Sequence, residues 1–430
     1  MDTSVWICVY LCHLWAVDLV RFFETGGSYN LAMVYRSRRV PADLSLNRLA
    51  AARERIGTIP YDLTISNPTA SGISYPSDLL AVLSDSRGLA YEPDPRGPMA
   101  TRNVVAATYK QWGATPDPRR IVLTASTSEA YGFLFRLFCD PGEAILVPFP
   151  SYPLFQHLAR LDGIDAPTYA LDSDVGWRID FPTLESCSAQ VRAVVVVHPN
   201  NPTGSFVHPD DRLRLIALCR ERDWALIADE VFLPYPLDGG PGEGSTFAAE
   251  DNCLCCTLGG LSKSLGLPQL KLAWIVVNGP EELVEPALEG LNYVSDAYLS
   301  VSTPVALALP ELLAGGESIC EALGDRCRSN LGSLRRLVSA HPAVSLGPVG
   351  GGWNAVLHVP AVLSEEELCL HLLERRGVAV HPGHFFGFRG TGRLVISLLP
   401  PADQFAEGVR LLLDGVAQTL TLPHSGSGGG

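Results

Sequence analysis

The sequence predicts an α/β fold: a mainly parallel sheet with flanking helices, followed by a smaller α+β unit. Between Arg120 and Val277, short runs that are apolar at every position alternate with helical segments. Such runs are typical of strands buried on both faces, and helices between them imply right-handed crossovers in a parallel sheet. After about residue 300, a long helical stretch leads into alternating runs and a last helix, which indicate the second unit.

Six apolar runs are the predicted sheet strands, and they read RIVLTAS, EAILVPFP, VRAVVVVHP, WALIADEVF, CLCCTLGG and LAWIVVNG. The second unit is predicted from WNAVLHVP, GVAVHPG, RLVISLL and the helix DQFAEGVRLLLDGV. We therefore expect a large domain over residues 86–320 and a small domain over 321–420, with residues 33–85 packing on the small domain.

The amino-acid composition indicates the class of protein and argues against some kinds of partner. The 430 residues are 47% apolar and 18% charged, as in well-packed globular proteins. A net charge of -14 argues against a nucleic-acid partner, because binding phosphates needs clustered Lys and Arg. The cysteine count of 11 is odd, and Cys253 and Cys256 fall in an apolar run, so neither a disulfide framework nor a metal site is expected. Because no disulfide framework is expected, we expect the protein to lie in a reducing compartment, the cytoplasm.

Both ends of the chain stand outside the predicted domains. The run from Val5 to Phe23 is barely long enough to span a membrane and contains His13 and Asp18, so a membrane location is not expected. Met33 precedes what resembles an ordinary N-terminal amphipathic helix, and residues 1–32 stay undetermined. Residues 421–430, which include HSGSGGG, are expected to be a flexible tail.

Polar residues follow the predicted strands, where open parallel sheets bind ligands beyond the carboxyl ends of their strands. A carboxylate at the end of an apolar strand, as at Asp229, needs a cation if it is buried. A desolvated lysine just beyond a strand, as at Lys263, can become a nucleophile. Taken singly, each residue can also be a cap, a turn residue or a surface charge. The other residues of this set are Ser126, Thr127 and Ser128, which precede or open a helix, then Tyr152 and Asn201.

Three stretches carry a family resemblance: NNPTG, ADEVF and LSKSLGLPQLKLAW. They resemble motifs of the class I/II aminotransferases among the fold-type I pyridoxal-phosphate enzymes, and the resemblance covers about residues 55–418. It implies an aspartate-aminotransferase-like fold with a seven-stranded, mixed sheet, and pyridoxal 5'-phosphate as cofactor.

By this resemblance, Lys263 forms a Schiff base with the cofactor and then carries a proton. Asp229 pairs with the pyridine nitrogen, Asn201 donates to the phenolic oxygen and Tyr152 stacks on the ring. The cofactor phosphate is assigned to Ser126, Thr127, Ser128, Ser262 and Lys271, with Tyr91 contributed by the neighbouring subunit of a homodimer. The weaker candidates for substrate contacts are Asn67 and Trp353.

Four positions depart from the family pattern. Phe232 stands where the family usually has a tyrosine, which predicts a more basic phenolic oxygen. Lys271 replaces an arginine, and Gly260 replaces a serine of the phosphate site. The arginine that binds the substrate carboxylate falls at Val395. Three alternatives follow: Arg393, two residues earlier on the same strand face, takes its place, another group binds the carboxylate, or the substrate has no carboxylate at the usual position.

The resulting prediction is a cytoplasmic, homodimeric aminotransferase that moves an amino group between an amino acid and a 2-oxo acid. One alternative is a carbon–sulfur β-lyase, which would use the same cofactor and Lys263. The alternative from another class is a non-catalytic, cofactor-binding regulatory module, as in transcription factors with an aminotransferase-like domain. The acidic charge and the absence of a basic helix-turn-helix pattern in the first 90 residues disfavour it.

Overall fold

The structure is a computed structural model that describes residues 37–187, 189–237, 246–299 and 301–421. The predicted membrane candidate at residues 5–23, the undetermined segment 1–32 and nearly all of the predicted tail lie outside these ranges. Within them, no helix is both long enough and apolar enough to cross a membrane.

Within the described residues, the strands form three sheets. The largest sheet has eight strands in the order β2-β9-β8-β7-β6-β3-β4-β5, a second has the order β10-β11-β14-β13, and β1 pairs with β12. In chain order, the strands are β1 (Tyr61–Asp62), β2 (Ile121–Thr124), β3 (Ala144–Phe149), β4 (Thr168–Asp172), β5 (Arg178–Ile179), β6 (Val191–Val197), β7 (Ala225–Asp229), β8 (Cys255–Gly260), β9 (Ala273–Asn278), β10 (Ser345–Leu346), β11 (Asn354–His358), β12 (Val378–Ala379), β13 (His381–Pro382) and β14 (Arg393–Ser397).

The large sheet is mixed, as expected. Strands β4, β3, β6, β7 and β8 run parallel, whereas β9 is antiparallel to both of its neighbours. The sheet has one strand more than the seven expected, because the two-residue strand β5 pairs antiparallel with β4 at the edge.

Helices cover both faces of the large sheet. In chain order, the α-helices are α1 (Arg48–Ile56), α2 (Met99–Thr108), α3 (Thr127–Phe138), α4 (Leu154–Asp162), α5 (Phe181–Glu185), α6 (Pro209–Arg222), α7 (Leu261–Ser264), α8 (Glu281–Tyr298), α9 (Thr303–Leu307), α10 (Leu309–Ser339), α11 (Glu365–Arg376) and α12 (Ala402–Thr419).

Alternate residues of a central strand enter different cores. Val195 packs with α3 and α8 on one face, and its neighbour Val194 packs with α5 and α6 on the other. Both side chains are fully buried, which explains why the strand is apolar at every position.

The C-terminal part of the chain forms the smaller α+β layer. Its four-stranded sheet is antiparallel throughout, and the long helix α10 packs against α12. The N-terminal segment joins this part, because β1 pairs parallel with β12 and α1 packs against α11. The division of the chain into separate domains stays a prediction.

The topology brings the predicted site residues to one edge of the large sheet. Strands β6, β7 and β8 are adjacent and parallel, so their carboxyl ends lie together. Asn201 lies shortly after β6, Asp229 is the last residue of β7, and Lys263 lies in α7 directly after β8.

Candidate active site

Asp229 is a buried carboxylate held by two donors. The hydroxyl of Tyr131, in α3, donates to its Oδ2 over 2.8 Å, and the backbone N–H of Val231 donates to its Oδ1 over 3.1 Å. Burial raises the pKa of Asp229, while these two donors and the Lys263 ammonium oppose that rise. A carboxylate in this setting favours a cationic ligand, because a nearby positive charge restores its ionised form.

Lys263 is a half-buried amine next to aromatic rings. Its Nζ lies 5.1 Å from the ring centroid of Trp353 and 5.8 Å from that of Phe232. Desolvation lowers the pKa of Lys263 to about 8, although the negative charge of Asp229 acts in the opposite direction. A larger fraction of this amine is therefore uncharged and nucleophilic at neutral pH than for an exposed lysine.

Aromatic packing fixes the backbone and the surroundings of Lys263. The hydroxyl of Tyr235 donates to the Lys263 carbonyl oxygen over 2.7 Å. Trp353 packs edge-on against Phe232 and Tyr235, at centroid distances of 5.2 and 5.1 Å. The indole N–H of Trp353 is buried and has no hydrogen-bond acceptor in the part of the chain that the structure describes. A ligand acceptor beside Lys263 would satisfy it.

The N-terminus of α3 forms the predicted anion site. Ser126 is the N-cap, and its hydroxyl accepts a hydrogen bond from the N–H of Glu129 over 3.1 Å. A hydroxyl that accepts one bond still carries a donor hydrogen, so capping and anion binding are compatible for Ser126. Thr127 and Ser128 form the first turn of the helix, where backbone N–H groups lack intrahelical acceptors.

The Gly260–Lys271 segment explains two departures from the family pattern. A Cβ atom at Gly260 would lie 2.8 Å from the Cβ of Ala273 on the adjacent strand β9, so a serine does not fit without a shift. Lys271 is exposed and adopts a left-handed conformation with φ of 52° directly after a 3-10 turn. Ser262 lies in α7, beside Lys263.

A cleft with about 1010 Å³ of empty space opens between the large sheet and the smaller layer. The side-chain amide of Asn354, the first residue of β11, donates to the Oδ1 of Asn201 over 2.7 Å and so joins the two sides. The cleft is lined by Asn47, Leu49, Ala50, Arg53, Thr64, Ser66, Tyr152, Pro153, Asn201, Asn354, Cys369, Leu373, Ala379, Val380, His381, Phe385 and Phe386.

The structure separates the two asparagines of the NNPTG motif. Asn200 is buried within its own loop, where its amide donates to the Pro150 carbonyl and to Thr203 and its oxygen accepts from Ser151. Asn201 lines the cleft. Of the pair, only Asn201 is therefore placed to meet a ligand there.

Of the predicted site residues, Tyr152 and Asn201 line this cleft, and the others are not part of its lining. Asn67 is exposed and caps a short 3-10 turn by accepting from Thr69, while its neighbour Ser66 lines the cleft instead. The Arg393 guanidinium donates to the carbonyl of Thr391, so the structure does not bring Arg393 to the expected substrate position. Tyr91 is 65% exposed.

Val395, at the position of the family's carboxylate-binding arginine, is fully buried. It belongs to an apolar cluster with Trp177, Val356 and Phe388. A charged group has no place in this cluster, so position 395 does not bind a carboxylate.

The fold brings three further residues to the site that the sequence patterns did not predict: Tyr131, Asn354 and Arg53. Tyr131 is a polar residue within the apolar helix sequence EAYGFLF, which is a weak signal of a buried hydroxyl. Asn354 follows a glycine triplet, and Arg53 lies in a helix that shows only amphipathic spacing. Their contacts with the site are long-range, and no local pattern reports such contacts.

Comparisons with known proteins agree with this geometry. The chain is 26% identical over 385 residues to the glutamate–pyruvate aminotransferase AlaA of Haemophilus influenzae, covering 85% of this chain and 93% of that protein. It is 27% identical over 387 residues to the alanine aminotransferase of Mycobacterium bovis, covering 87% and 88%.

Solved structures show the same fold. An alanine aminotransferase from Pyrococcus furiosus superposes with a TM-score of 0.76 at 21% identity, covering 87% of this chain and all of that one. A Thermus thermophilus aspartate aminotransferase double mutant gives the same score and identity, covering 89% of this chain. The expected aspartate-aminotransferase-like fold is confirmed. The family described as aminotransferase class I and II matches residues 67–405. The chain therefore belongs to the class I and II aminotransferase family.

Proposed function

We propose that this pyridoxal-phosphate-dependent aminotransferase moves an amino group between an amino acid and a 2-oxo acid by means of Lys263. The observation that carries the proposal is that the desolvated amine of Lys263 and the buried carboxylate of Asp229 lie at the carboxyl ends of adjacent strands, where each charge acts on the other. The relatives named above are an alanine and a glutamate–pyruvate aminotransferase, so alanine and glutamate are the first donors to test.

The residues present fit pyridoxal phosphate. Asp229 needs a cation, which a protonated pyridine nitrogen supplies. The α3 N-terminus offers donors to a dianion through Ser126, Thr127 and Ser128, and the Trp353 indole N–H needs an acceptor. Lys263 supplies an amine whose pKa is lowered to about 8, suited to reaction with an aldehyde.

Bound pyridoxal phosphate supplies an electron sink for the bonds at the substrate α-carbon. In our proposal, Asp229 keeps the pyridine nitrogen protonated, and Tyr131 holds the Asp229 carboxylate in its ionised form. Lys263 anchors the cofactor and moves a proton at the α-carbon with its Nζ. Asn201 orients the phenolic oxygen, and its bond to Asn354 fixes the direction of its amide.

Further residues hold the cofactor without moving protons. We assign the ring face to Tyr152, which lines the cleft, and the ring's phenolic side to Phe232, which packs on Trp353. The phosphate is assigned to the α3 N-terminus with Ser262 and Lys271. Lys271 offers a single ammonium charge at a position where the family has an arginine, whose guanidinium can donate two parallel hydrogen bonds.

The protein is proposed to act as a homodimer in the cytoplasm. In the proposed dimer, the partner subunit would cover large apolar side chains that are exposed in the single chain, such as those of Leu89, Tyr91 and Tyr293. Tyr91 would then reach the phosphate of the partner subunit. Analytical ultracentrifugation tests the dimer, and loss of cofactor affinity in Tyr91→Phe tests the shared site.

A spectrophotometric screen of the holoenzyme against amino acids and amines tests the function. We expect conversion of the bound cofactor to its amine form together with release of a 2-oxo acid, and loss of both in Lys263→Ala. Release of pyruvate and ammonia from a cysteine conjugate, without that conversion, identifies the β-lyase instead. If neither reaction occurs with any donor, the result favours the regulatory module.

A further inference from the structure

The amine of Lys263 lies beside two aromatic rings that come from different parts of the chain. Its Nζ is 5.1 Å from the ring centroid of Trp353, the residue before β11, and 5.8 Å from that of Phe232, which follows β7. Both distances are within the roughly 6 Å over which an aromatic face attracts an ammonium ion. Phe232 and Trp353 together form the ring pair of this amine.

The ring pair is held against the segment that carries Lys263. Its two side chains are buried and meet edge-on, with 5.2 Å between the ring centroids. Tyr235 packs edge-on against Trp353, and its hydroxyl donates to the Lys263 carbonyl over 2.7 Å. The backbone N–H of Leu398 donates to the carbonyl of Trp353 over 2.7 Å. Tyr235 therefore links the backbone of the lysine to the ring beside its amine.

Burial and the surrounding groups act on Lys263 in opposite directions. Desolvation disfavours the ammonium form and lowers the pKa of Lys263 to about 8, and the carboxylate of Asp229 opposes this effect. The ring faces also attract the positive charge, and they attract a desolvated cation more strongly than an exposed one, because little water competes for it. Tyr235, which contacts the ring pair, stays a neutral phenol, since burial raises its pKa well above the usual value.

We propose that Phe232 and Trp353 hold the amine of Lys263 as an ammonium ion during the part of the reaction in which that amine is not bonded to the cofactor. The inference rests on the proposed function, in which Nζ takes a proton from the substrate α-carbon while the electron pair of the broken C–H bond passes to the cofactor. It adds two positioning residues that stabilise the protonated Nζ. The ring pair thereby favours removal of that proton and keeps it near the reacting atoms.

The amine can be observed directly, because the chain contains three lysines, Lys110, Lys263 and Lys271. Enzyme that is isotope-labelled at lysine Cε is loaded with pyridoxamine 5'-phosphate, which forms no bond with Lys263, and is titrated with pH by NMR. Lys263→Ala assigns the signal of Lys263. Lys110 and Lys271 are exposed, and their signals serve as references.

Trp353→Leu removes the closer ring, and Trp177→Leu is its matched control. Trp177 is also buried and meets Phe388 at an interplanar angle of 74°, as in the ring pair, but it packs in the apolar cluster with Val395. We expect the pKa of Lys263 to fall by about one unit in Trp353→Leu, as for loss of a desolvated cation–π contact, and to stay unchanged in Trp177→Leu. If the rings only excluded water, the pKa would rise instead, because water would reach the amine in the leucine variant.

Kinetics supply a second readout. With the best amino donor of the wild-type enzyme, kcat should fall about tenfold in Trp353→Leu while KM changes little, because the rings act on Lys263 and not on the bound substrate. The isotope effect of a donor deuterated at the α-carbon should increase, since removal of that proton becomes slower. Phe232→Leu should change both quantities in the same direction and by less, because its ring is farther from Nζ.

Fluorinated tryptophan tests the same contact if Trp353→Leu does not fold. Fluorine withdraws electrons from the indole face and weakens its attraction for a cation, with little change in the size of the ring. The pKa of Lys263 should therefore fall in wild-type chain produced with fluorinated tryptophan. An unchanged pKa in that protein overturns the role of the ring pair.

The outcomes separate the two proposals. Wild-type enzyme that transaminates no donor overturns the proposed function, and with it the part of the ring pair in the reaction. Wild-type enzyme that transaminates, combined with a pKa of Lys263 that is unchanged or higher in a folded Trp353→Leu variant, overturns the role of the ring pair alone.

Discussion

The hydroxyl of Tyr131 donates a 2.8 Å hydrogen bond to the carboxylate of Asp229, and both groups are buried. Tyr131 lies in α3, the helix whose N-terminus is the proposed phosphate site. One helix thus presents donors to the proposed phosphate and to the carboxylate proposed to hold the other end of the cofactor. The length of α3 between Ser126 and Tyr131 sets the spacing of these two contacts.

Replacing Tyr131 by phenylalanine should weaken cofactor binding. Without the hydroxyl, the pKa of Asp229 rises further, because burial is then opposed by one donor fewer. A smaller fraction of Asp229 is ionised and able to hold the pyridine nitrogen. We expect cofactor affinity to fall by about tenfold, the effect of one hydrogen bond of roughly 1.4 kcal/mol, as measured by equilibrium titration of the apoenzyme.

Tyr169→Phe is the matched control for this prediction. The Tyr169 hydroxyl is also buried, but it donates to the backbone carbonyl of Val195 over 2.7 Å and not to Asp229. Both variants should lose similar stability, whereas only Tyr131→Phe should lose cofactor affinity. Equal cofactor affinity in the two variants would contradict the role given to Tyr131.

Replacing Phe232 by tyrosine should lower the pH at which the bound cofactor loses its proton. Phe232 is buried against Trp353, and its ring lies 5.8 Å from Lys263 Nζ. A hydroxyl there would donate to the phenolic oxygen, stabilise its negative charge and make it less basic. The expected decrease is about one pH unit, read as the midpoint of the absorbance change during a pH titration. A midpoint that stays unchanged, in a variant that binds cofactor normally, would show that position 232 does not tune this oxygen.

Glu230 gives the stability of the protein a dependence on pH. Its carboxyl is buried, accepts from Thr246 Oγ1 over 2.6 Å and from the N–H of Phe247, and burial raises its pKa to about 7. Between the ordinary value of 4.5 and about 7, the folded state binds more protons than the unfolded state. The contribution of Glu230 to stability is therefore complete below pH 4.5 and is lost as the pH rises through about 7.

Glu230→Gln should remove this dependence, because the amide stays neutral throughout and resembles the protonated carboxyl. The difference in unfolding free energy between variant and wild type should move in favour of the variant from pH 5 to pH 8. The change should be on the order of 3 kcal/mol. Urea unfolding at several pH values measures it. Parallel curves for the two proteins would show that Glu230 does not titrate in this range.

The sequence predicted the strands that are buried on both faces, including β2 at one edge of the large sheet, and missed β4 and β5 at the other end. The run at Val191–Val197 is apolar because both of its faces pack into cores. By contrast, β4 is only partly buried and β5 has two residues, so neither shows an apolar run or a clear alternation. Edge strands are specified by pairing with a neighbour, which a local pattern does not record.

The candidate site likewise contains residues that the sequence predicts and residues that it does not predict. Asn201, Asp229 and Lys263 lie directly beyond successive strands, and parallel topology alone brings such residues together. Arg53 reaches the cleft only because α1 packs on α11, a helix far later in the chain. At Val395 the sequence indicated that the family's arginine is missing, and the structure adds that the position is buried in an apolar cluster.

Restoring the family's serine at position 260 should destabilise the protein. A Cβ there would lie 2.8 Å from the Cβ of Ala273, its partner residue on β9, and both residues are buried in hydrogen-bonded strands. We expect Gly260→Ser to lower the unfolding free energy by about 1–3 kcal/mol, the usual effect of overpacking a core, even though it adds a hydroxyl near the proposed phosphate site. Because the closest contact is with the Ala273 methyl group, Ala273→Gly should relieve part of the clash. The double variant should therefore lose less stability than the sum of the losses in the two single variants. Chemical unfolding of the four proteins gives this coupling energy. Additive losses would mean that the space around Gly260 is not limited by Ala273.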